Sequence, residues 1–320
     1  MKIVDTHTGK IFVDTERRLE FLTVGDYGKE NNIKADFLGL TKEIHGVANT
    51  EVDLSKKWVA TISTQKGCPM KCQFCDCPKY GFHGNVSRKD LGYEIETILQ
   101  HFSIDYPKTE RFNVHFARMG EPTFNENVID FTLDDLRGIV DAYIKADTIH
   151  PVVSTMLPKH NKNLEQFLNN WCYVKNVAYG GEAGLQFSIN STDDGQRNKQ
   201  FNGMSLSLSE ISELAKKLPK PVGRKYTLNF AVTKDTILDA DVLDSFFDKE
   251  NWIVKITPIH ETHSALSNGF DVGDSYTDYN VYKKFEKPLL EHGWDVIVFV
   301  PSKEEDSDRI TCGNALISEE

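Results

Sequence analysis

From Trp58 onward, short apolar runs alternate with stretches whose apolar positions recur at helical spacing. The runs at 58–63, 112–117, 152–155, 184–189, 226–232, 252–258 and 294–300 predict strands. Between them, Leu91, Ile95, Ile98, Leu99 and Phe102 share one helical face. Further helices are predicted over 128–144, 164–171, 208–218, 242–247 and 279–290. Ser207 and Glu210 have capping-box spacing ahead of Ile211, Leu214 and Leu218. Strands alternating with helices predict parallel strands joined by right-handed crossovers. About six such units make an α/β fold of the open or partial (β/α)6 barrel type, with functional residues after the C-terminal ends of the strands.

Before Trp58 the rhythm differs. Runs at 11–13 and 19–24 predict short strands, with turns at Thr8-Gly9 and Gly25-Asp26. A short helix is predicted near Leu38–Ile44, and Asn31-Asn32 and the polar segment 50–57 read as connections. The expected organisation is a β-rich N-terminal extension over 1–57 and one barrel over 58–320.

Composition changes this picture in three ways. The chain has 320 residues and 39% hydrophobic positions, enough for a full buried core. No apolar run approaches the roughly 18 residues of a membrane span, and the first residues lack the apolar core of a signal peptide, so a cytoplasmic protein with no membrane partner is expected. The net charge of −11 counts against a broad nucleic-acid footprint, because phosphate binding draws on Lys and Arg. It leaves room for a local basic patch, and Lys66, Lys71, Lys79, Arg88 and Lys89 all lie around one loop.

That loop, Gln65 to Gly84, carries four of the six cysteines, and it follows the first barrel strand. Cys68, Cys72 and Cys75 are spaced by three residues and then two, with Phe74 immediately before the last. Thiolates this close are soft ligands for iron–sulfur clusters or zinc. Three ligands on a 4Fe–4S cluster leave one iron open to chelate a small molecule. A closed zinc site with Cys77 as fourth ligand satisfies the same spacing. Further chemistry sits at strand ends. Gly120-Glu121-Pro122 follows one strand and offers amides and a carboxylate suited to an ammonium group. Ser154-Thr155 and Ser188-Ile189-Asn190 end two others, and His260 follows Pro258 after a later one. Cys312 lies in a polar C-terminal segment with its thiol available for chemistry, whereas Cys172, between Trp171 and Tyr173, reads as a core residue.

Cys-x-x-x-Cys-x-aromatic-Cys resembles the signature of the radical S-adenosylmethionine (radical SAM) superfamily. The order of motifs from Ser63 to Leu316 resembles the radical SAM methyltransferases that methylate adenine at carbon 2 in ribosomal and transfer RNA, and the related carbon-8 resistance enzymes. The matching pieces are 63–68 through 81–82, Met119-Gly-Glu-Pro, Ser154-Thr155, Ser188-Ile-Asn with Arg197 downstream, Pro258, and 308–316 around Cys312. The resemblance implies that Cys68, Cys72 and Cys75 hold a 4Fe–4S cluster. It implies that Gly120, Glu121, Ser154, Ser188, Ile189, Asn190 and His260 contact S-adenosylmethionine, although at the last of these the family has Asn. Cys312 would accept a methyl group from one SAM, and a radical from a second SAM would activate that methyl for attack on adenine. The implied partners are ribosomal or transfer RNA and an electron donor such as flavodoxin or ferredoxin.

Three departures stand against the family pattern. Thr61 occupies the position of the second, resolving cysteine, and a hydroxyl cannot exchange disulfides unless Cys77 substitutes for it. The N-terminal accessory domain is reduced to the preface. The family's general base has no counterpart in register, Glu51 being nearest in character. These departures keep open a radical SAM enzyme acting on a protein, peptide or small molecule without a methyl-cysteine intermediate.

Overall fold

The apolar runs become neighbouring strands of one sheet in the computed structural model, which describes residues 1–24 and 54–317 apart from 272, 274, 275, 277 and 302. The expected helix near Leu38–Ile44, the turn at Gly25-Asp26, Asn31-Asn32 and Glu51 lie outside the described residues. Strands β1 (Lys2–Asp5), β2 (Gly9–Asp14) and β3 (Leu19–Val24) run antiparallel to one another. β3 pairs antiparallel with β4 (Lys57–Ile62), with Leu22 opposite Thr61 and Val24 opposite Val59. A small hairpin, β5 (Gln65–Gly67) and β6 (Phe82–Asn85), brackets the cysteine loop.

The remaining chain alternates as its pattern predicts. Helix α1 (Arg88–Phe102) leads to β7 (Lys108–Phe116), and α2 (Asn127–Asp134) with α3 (Leu136–Tyr143) to β8 (Lys145–Thr155). α4 (Leu164–Tyr173) leads to β9 (Gly184–Ser188), and α5 (Asp194–Gln200) with α6 (Leu208–Lys217) to β10 (Tyr226–Val232). α7 (Ala240–Phe246) precedes β11 (Trp252–Pro258). α8 (His263–Ser267) and α9 (Asn280–Glu291) precede β12 (Val296–Val298), and α10 (Lys303–Ser307) leads into the Cys312 segment. The sheet order is β1-β2-β3-β4-β7-β8-β9-β10-β11-β12, and every neighbouring pair from β4 to β12 is parallel. This is the partial (β/α) barrel that the alternation predicts, and the Ser207–Glu210 capping box forms at the start of α6.

β1, the β5–β6 hairpin, α8 and α10 are additions to the pattern, and three further departures have a visible reason. The helix expected over 128–144 is two helices that meet at Asp135, whose carboxylate holds Arg88. β8 begins at Lys145 rather than Val152, because its polar first half is mostly exposed and carries no alternation to read. α5 has no apolar stripe. It starts instead from Asp193, whose carboxylate accepts from the Gln196 amide at 2.6 Å.

The main core lies between the sheet and its outer helices, and it includes Trp58, Phe112, Phe116, Trp171 and Trp252. The N-terminal strands join it through Phe12, Leu19 and Phe21. On their other face Ile11, Val13, Leu22 and Val24 pack with Val59 against Ile310, Ala315 and Ile317. Side chains alternate across a strand, so this hairpin is apolar on both faces because it has two partners. The consequence for the site is direct: the first strands form the wall on which the Cys312 segment rests.

Candidate active site

The cysteine loop is held at both ends and along its length. Gly67 (φ +82°) lets the loop base close, because a Cβ there would lie 1.7 Å from the Gly81 carbonyl oxygen. The Cys68 amide donates to that same oxygen at 3.0 Å. Beyond the base, the Gln73 amide donates to Gln200 O at 2.8 Å, and the Asp76 amide donates to Gly313 O at 2.8 Å. The Thr262 hydroxyl donates to Phe74 O at 2.8 Å. The Asp76 carboxylate, almost fully buried, accepts from the Ser264 amide at 2.9 Å and the Ser264 hydroxyl at 2.7 Å. Besides its own base, three separate elements therefore place the loop: α5, the start of α8 and the Cys312 segment.

Cys68, Cys72 and Cys75 line a cavity of about 130 Å³ at the C-terminal ends of the parallel strands. Cys77, Gly120, Glu121, Ser154, Ser188 and Cys312 line it too, with Met70, Phe74, Met156 and Phe201 as its apolar wall. Burial pushes the Cys68 and Cys72 thiols well above the ordinary thiol range. A soft metal centre would offset this cost by stabilising the thiolates. Three thiols around one cavity are a soft ligand set that could hold an iron–sulfur or zinc centre.

Of the residues picked out by sequence, Gly120, Glu121, Ser154 and Ser188 reach this cavity, and Cys312 joins them. Gly120 (φ +100°) sits against Gln65, where a Cβ would come within 2.5 Å of the Gln65 Cβ. Glu121 is buried, and its carboxylate accepts from the Thr123 hydroxyl at 2.8 Å and the Met156 amide at 3.0 Å. Burial raises its pKa against the pull of these donors. Ile189 lies in the main core. The Asn190 side chain accepts from the Ala231 amide at 3.1 Å, so it ties β9 to β10 rather than lining the cavity. Arg197 is buried and donates to the carbonyls of Ser188 and Ile189, fixing the end of β9. His260 faces a second cavity and meets Asp306 at 3.0 Å.

Cys312 lines both cavities, and the second, of about 200 Å³, occupies the barrel lumen with Thr61 in its wall. The Cys312 thiol donates to Ala117 O at 3.4 Å. Its accessible surface is cavity wall: surrounding protein pushes its pKa up to about 11, Cys77 adds to the rise, and Arg118 and Lys255 oppose it. Cys77 is buried, with its thiol directed to Arg118 O at 3.3 Å, and it shares the first cavity with Cys312.

Sequence reasoning missed Glu20 and Arg118, which hold the Cys312 segment. Arg118 is paired with Glu20, and both side chains are all but fully buried. The guanidinium donates to Thr311 O at 3.2 Å and Asn314 O at 3.1 Å, on either side of Cys312. Glu20 accepts from the Leu316 amide at 3.1 Å and the Ile317 amide at 2.6 Å. The signal in the sequence was a carboxylate inside the apolar run Leu19-Glu-Phe-Leu. The basic residues around the loop are largely paired: Lys66 with Asp90 at 3.6 Å, Lys79 with Asp76 at 2.7 Å, and Arg88 with Asp134 at 3.0 Å as well as Asp135. Lys71 and Lys89 are exposed.

The arrangement can be compared with solved structures. A radical SAM methyltransferase from Sphaerobacter thermophilus superposes with a TM-score of 0.65 at 14% identity, covering 99% of this chain and 80% of that one. The fold is that of the radical SAM enzymes. In sequence the chain resembles proteins named probable dual-specificity RNA methyltransferase RlmN. The one from Heliobacterium modesticaldum is 22% identical over 246 residues, which is 74% of this chain and 57% of the relative. That from Petrotoga mobilis is 22% identical over 255 residues, 75% of this chain and 63% of the relative. The chain thus spans less than two thirds of the length of these relatives. No protein-family profile matches it. No helix among the described residues is long and apolar enough to cross a membrane.

Proposed function

We propose that this chain is a radical SAM methyltransferase, with Cys68, Cys72 and Cys75 as ligands of a 4Fe–4S cluster, Cys312 as methyl acceptor, and an adenine of ribosomal or transfer RNA as the target its likeness to the RlmN proteins suggests. One observation carries the reading: three loop thiols, the Cys312 thiol and the strand-end residues Gly120, Glu121, Ser154 and Ser188 line the same cavity. A cluster held there would supply the electron for reductive cleavage of one SAM to the radical, while the methyl group on Cys312 would come from a separate SAM. The chain's own contribution is positional. Glu121 offers a buried carboxylate with no cation beside it among the described residues, and an ammonium group there would relieve what burial imposes. Cys312 must give up its thiol proton before its sulfur accepts a methyl group, and Arg118 and Lys255 are the cations that favour the thiolate. Thr61 cannot resolve a covalent product, whereas Cys77, in the same cavity as Cys312, can take that part.

The test is anaerobic reconstitution with iron and sulfide, then incubation with SAM and a reductant. Wild-type chain should yield 5′-deoxyadenosine and carry one added methyl on Cys312 by peptide mass spectrometry. The Cys68→Ala/Cys72→Ala/Cys75→Ala variant should lose both the visible chromophore and SAM cleavage. Continued reductive cleavage by that variant would rule out the cluster assignment. An unmethylated Cys312 together with full activity of Cys312→Ala would end the methyltransferase reading. Thr61 in the lumen wall favours a second reading, in which SAM serves only as a radical source for modifying a small molecule.

A further inference from the structure

The lumen cavity is not part of the cysteine cavity, and its lining has a different chemistry. Inward-facing positions of the strands bring Lys57, Arg111 and Lys255 to it, and Arg224 joins them just before β10. Among the described residues, Glu305 is the single carboxylate in that lining. Glu182 also acts on Arg111 and Arg224, but its carboxylate is half exposed and contacts His150 at 3.2 Å. Like charges gathered in a low-dielectric interior repel one another, so such a cluster favours an anion in the space between them. A second observation points the same way. Asn113, only 4% exposed, lines the cavity, and its Nδ2 has no hydrogen-bond partner among the described residues. Its orientation is set, because Oδ1 accepts from Arg111 Nε at 3.2 Å. A buried amide donor left open beside a guanidinium is a place for an acceptor.

We propose that the barrel lumen holds the phosphate group of a small phosphorylated ligand, bound by Arg111, Arg224 and Lys255 with the Asn113 amide as a further donor. Two guanidiniums and an ammonium match a dianion with three acceptor oxygens better than they match a single carboxylate. A volume of about 200 Å³ takes a phosphate with a short organic stem. The phosphates of a polynucleotide stay on its backbone, and a target base enters a pocket ahead of them. A phosphate deep in the lumen therefore belongs to a small molecule. Cys312 closes the same cavity, so a ligand held there would favour the second reading given above, a small-molecule substrate, while the phosphate site itself rests on neither reading.

The test is calorimetric titration of the full-length, anaerobically purified chain with inorganic phosphate, pyrophosphate and AMP, with malonate and an RNA oligonucleotide as comparisons. At least one phosphate probe should bind saturably and raise the melting temperature. Arg111→Met and Lys255→Met should each weaken that binding about tenfold or more, while their melting temperatures without ligand hold or rise, because a like charge has left a crowded site. Asn113→Asp adds a carboxylate to the cations and should abolish phosphate binding with the fold intact, so it decides the matter if a methionine variant fails to fold. Failure of every phosphate probe to bind, undiminished binding in these variants, malonate binding as tightly as phosphate, or binding of RNA alone would overturn the proposal. Reductive SAM cleavage by the wild-type chain is measured in parallel. Its absence would count against the radical reading and leave a phosphate site standing.

Discussion

At Glu121 the carboxylate already serves donors of its own fold: the Thr123 amide at 3.2 Å, the Thr123 hydroxyl at 2.8 Å, the Met156 amide at 3.0 Å and the Thr155 side chain. Glu121→Gln replaces one acceptor oxygen with a donor and turns it toward donors. The variant should lose about 1–3 kcal/mol of stability, the scale of a buried polar group left unsatisfied. SAM affinity should fall by about 1.5–3 kcal/mol if the carboxylate also takes the ammonium group. Denaturant unfolding and equilibrium SAM binding separate the two effects, and a stability loss with unchanged SAM affinity would leave Glu121 a structural residue. Gly67 is a cleaner case. Its φ is positive and the Gly81 carbonyl oxygen lies 1.7 Å from where a Cβ would sit, so there is no room for a side chain. Gly67→Ala should open the base of the cysteine loop, read as loss of iron retained after reconstitution.

At the scale of elements, the Glu20–Arg118 pair couples β3, the loop after β7 and the C-terminal segment. Removing one partner strands the other as a buried charge, so Glu20→Ala should destabilise the chain by about 3–5 kcal/mol. Replacing both with apolar residues, as in Glu20→Leu/Arg118→Met, should recover much of that loss but not the placement of Cys312. Methylation of Cys312 should therefore drop in both variants while stability separates them, and equal methylation in the double variant would show that the segment holds itself. This coupling explains what could be read from sequence and what could not. The parallel strands and most helices were legible because each has its own period, and the cysteine spacing was legible because ligand loops are local. β8's polar first half and α5 lacked a period. The clamp on Cys312 joins residues 296 and 297 positions apart, which no local pattern encodes. Likewise the lumen cations each read as ordinary polar positions of a strand, and only closure of the sheet makes them neighbours.

For the whole molecule, the lumen charge makes stability depend on pH above the range where carboxylates act. Burial, with Lys255 and Lys57 beside it, holds His115 down to about 3. His150 is also held to about 3, by burial and by Arg111, while the nearby Glu182 carboxylate is too exposed to reverse it. Both rings are neutral in the fold and titrate near 6.5 once unfolded. Between these values the unfolded chain binds more protons than the folded one, so stability rises with pH across this window. Their contribution is complete above pH 6.5 and is lost as pH falls toward 3. Each ring should give a slope approaching about 1.4 kcal/mol per pH unit, reached only well below 6.5. Depressed carboxylates such as Asp76 and Asp306 add their own loss below their ordinary value of 3.8. Buried Glu94 and Glu121 and the Asp244-paired His292 are raised instead and act with the opposite sign, so the two histidines are isolated by substituting them and not by the choice of interval alone. Denaturant unfolding from pH 6.5 to 5 should show stability declining as acid is added. His115→Gln, which keeps a polar side chain but cannot take the proton, should flatten the decline, and His115→Gln/His150→Gln should nearly remove it. A slope untouched by both substitutions would mean that these two histidines are not held neutral, and that the cations near them are less crowded than the fold implies.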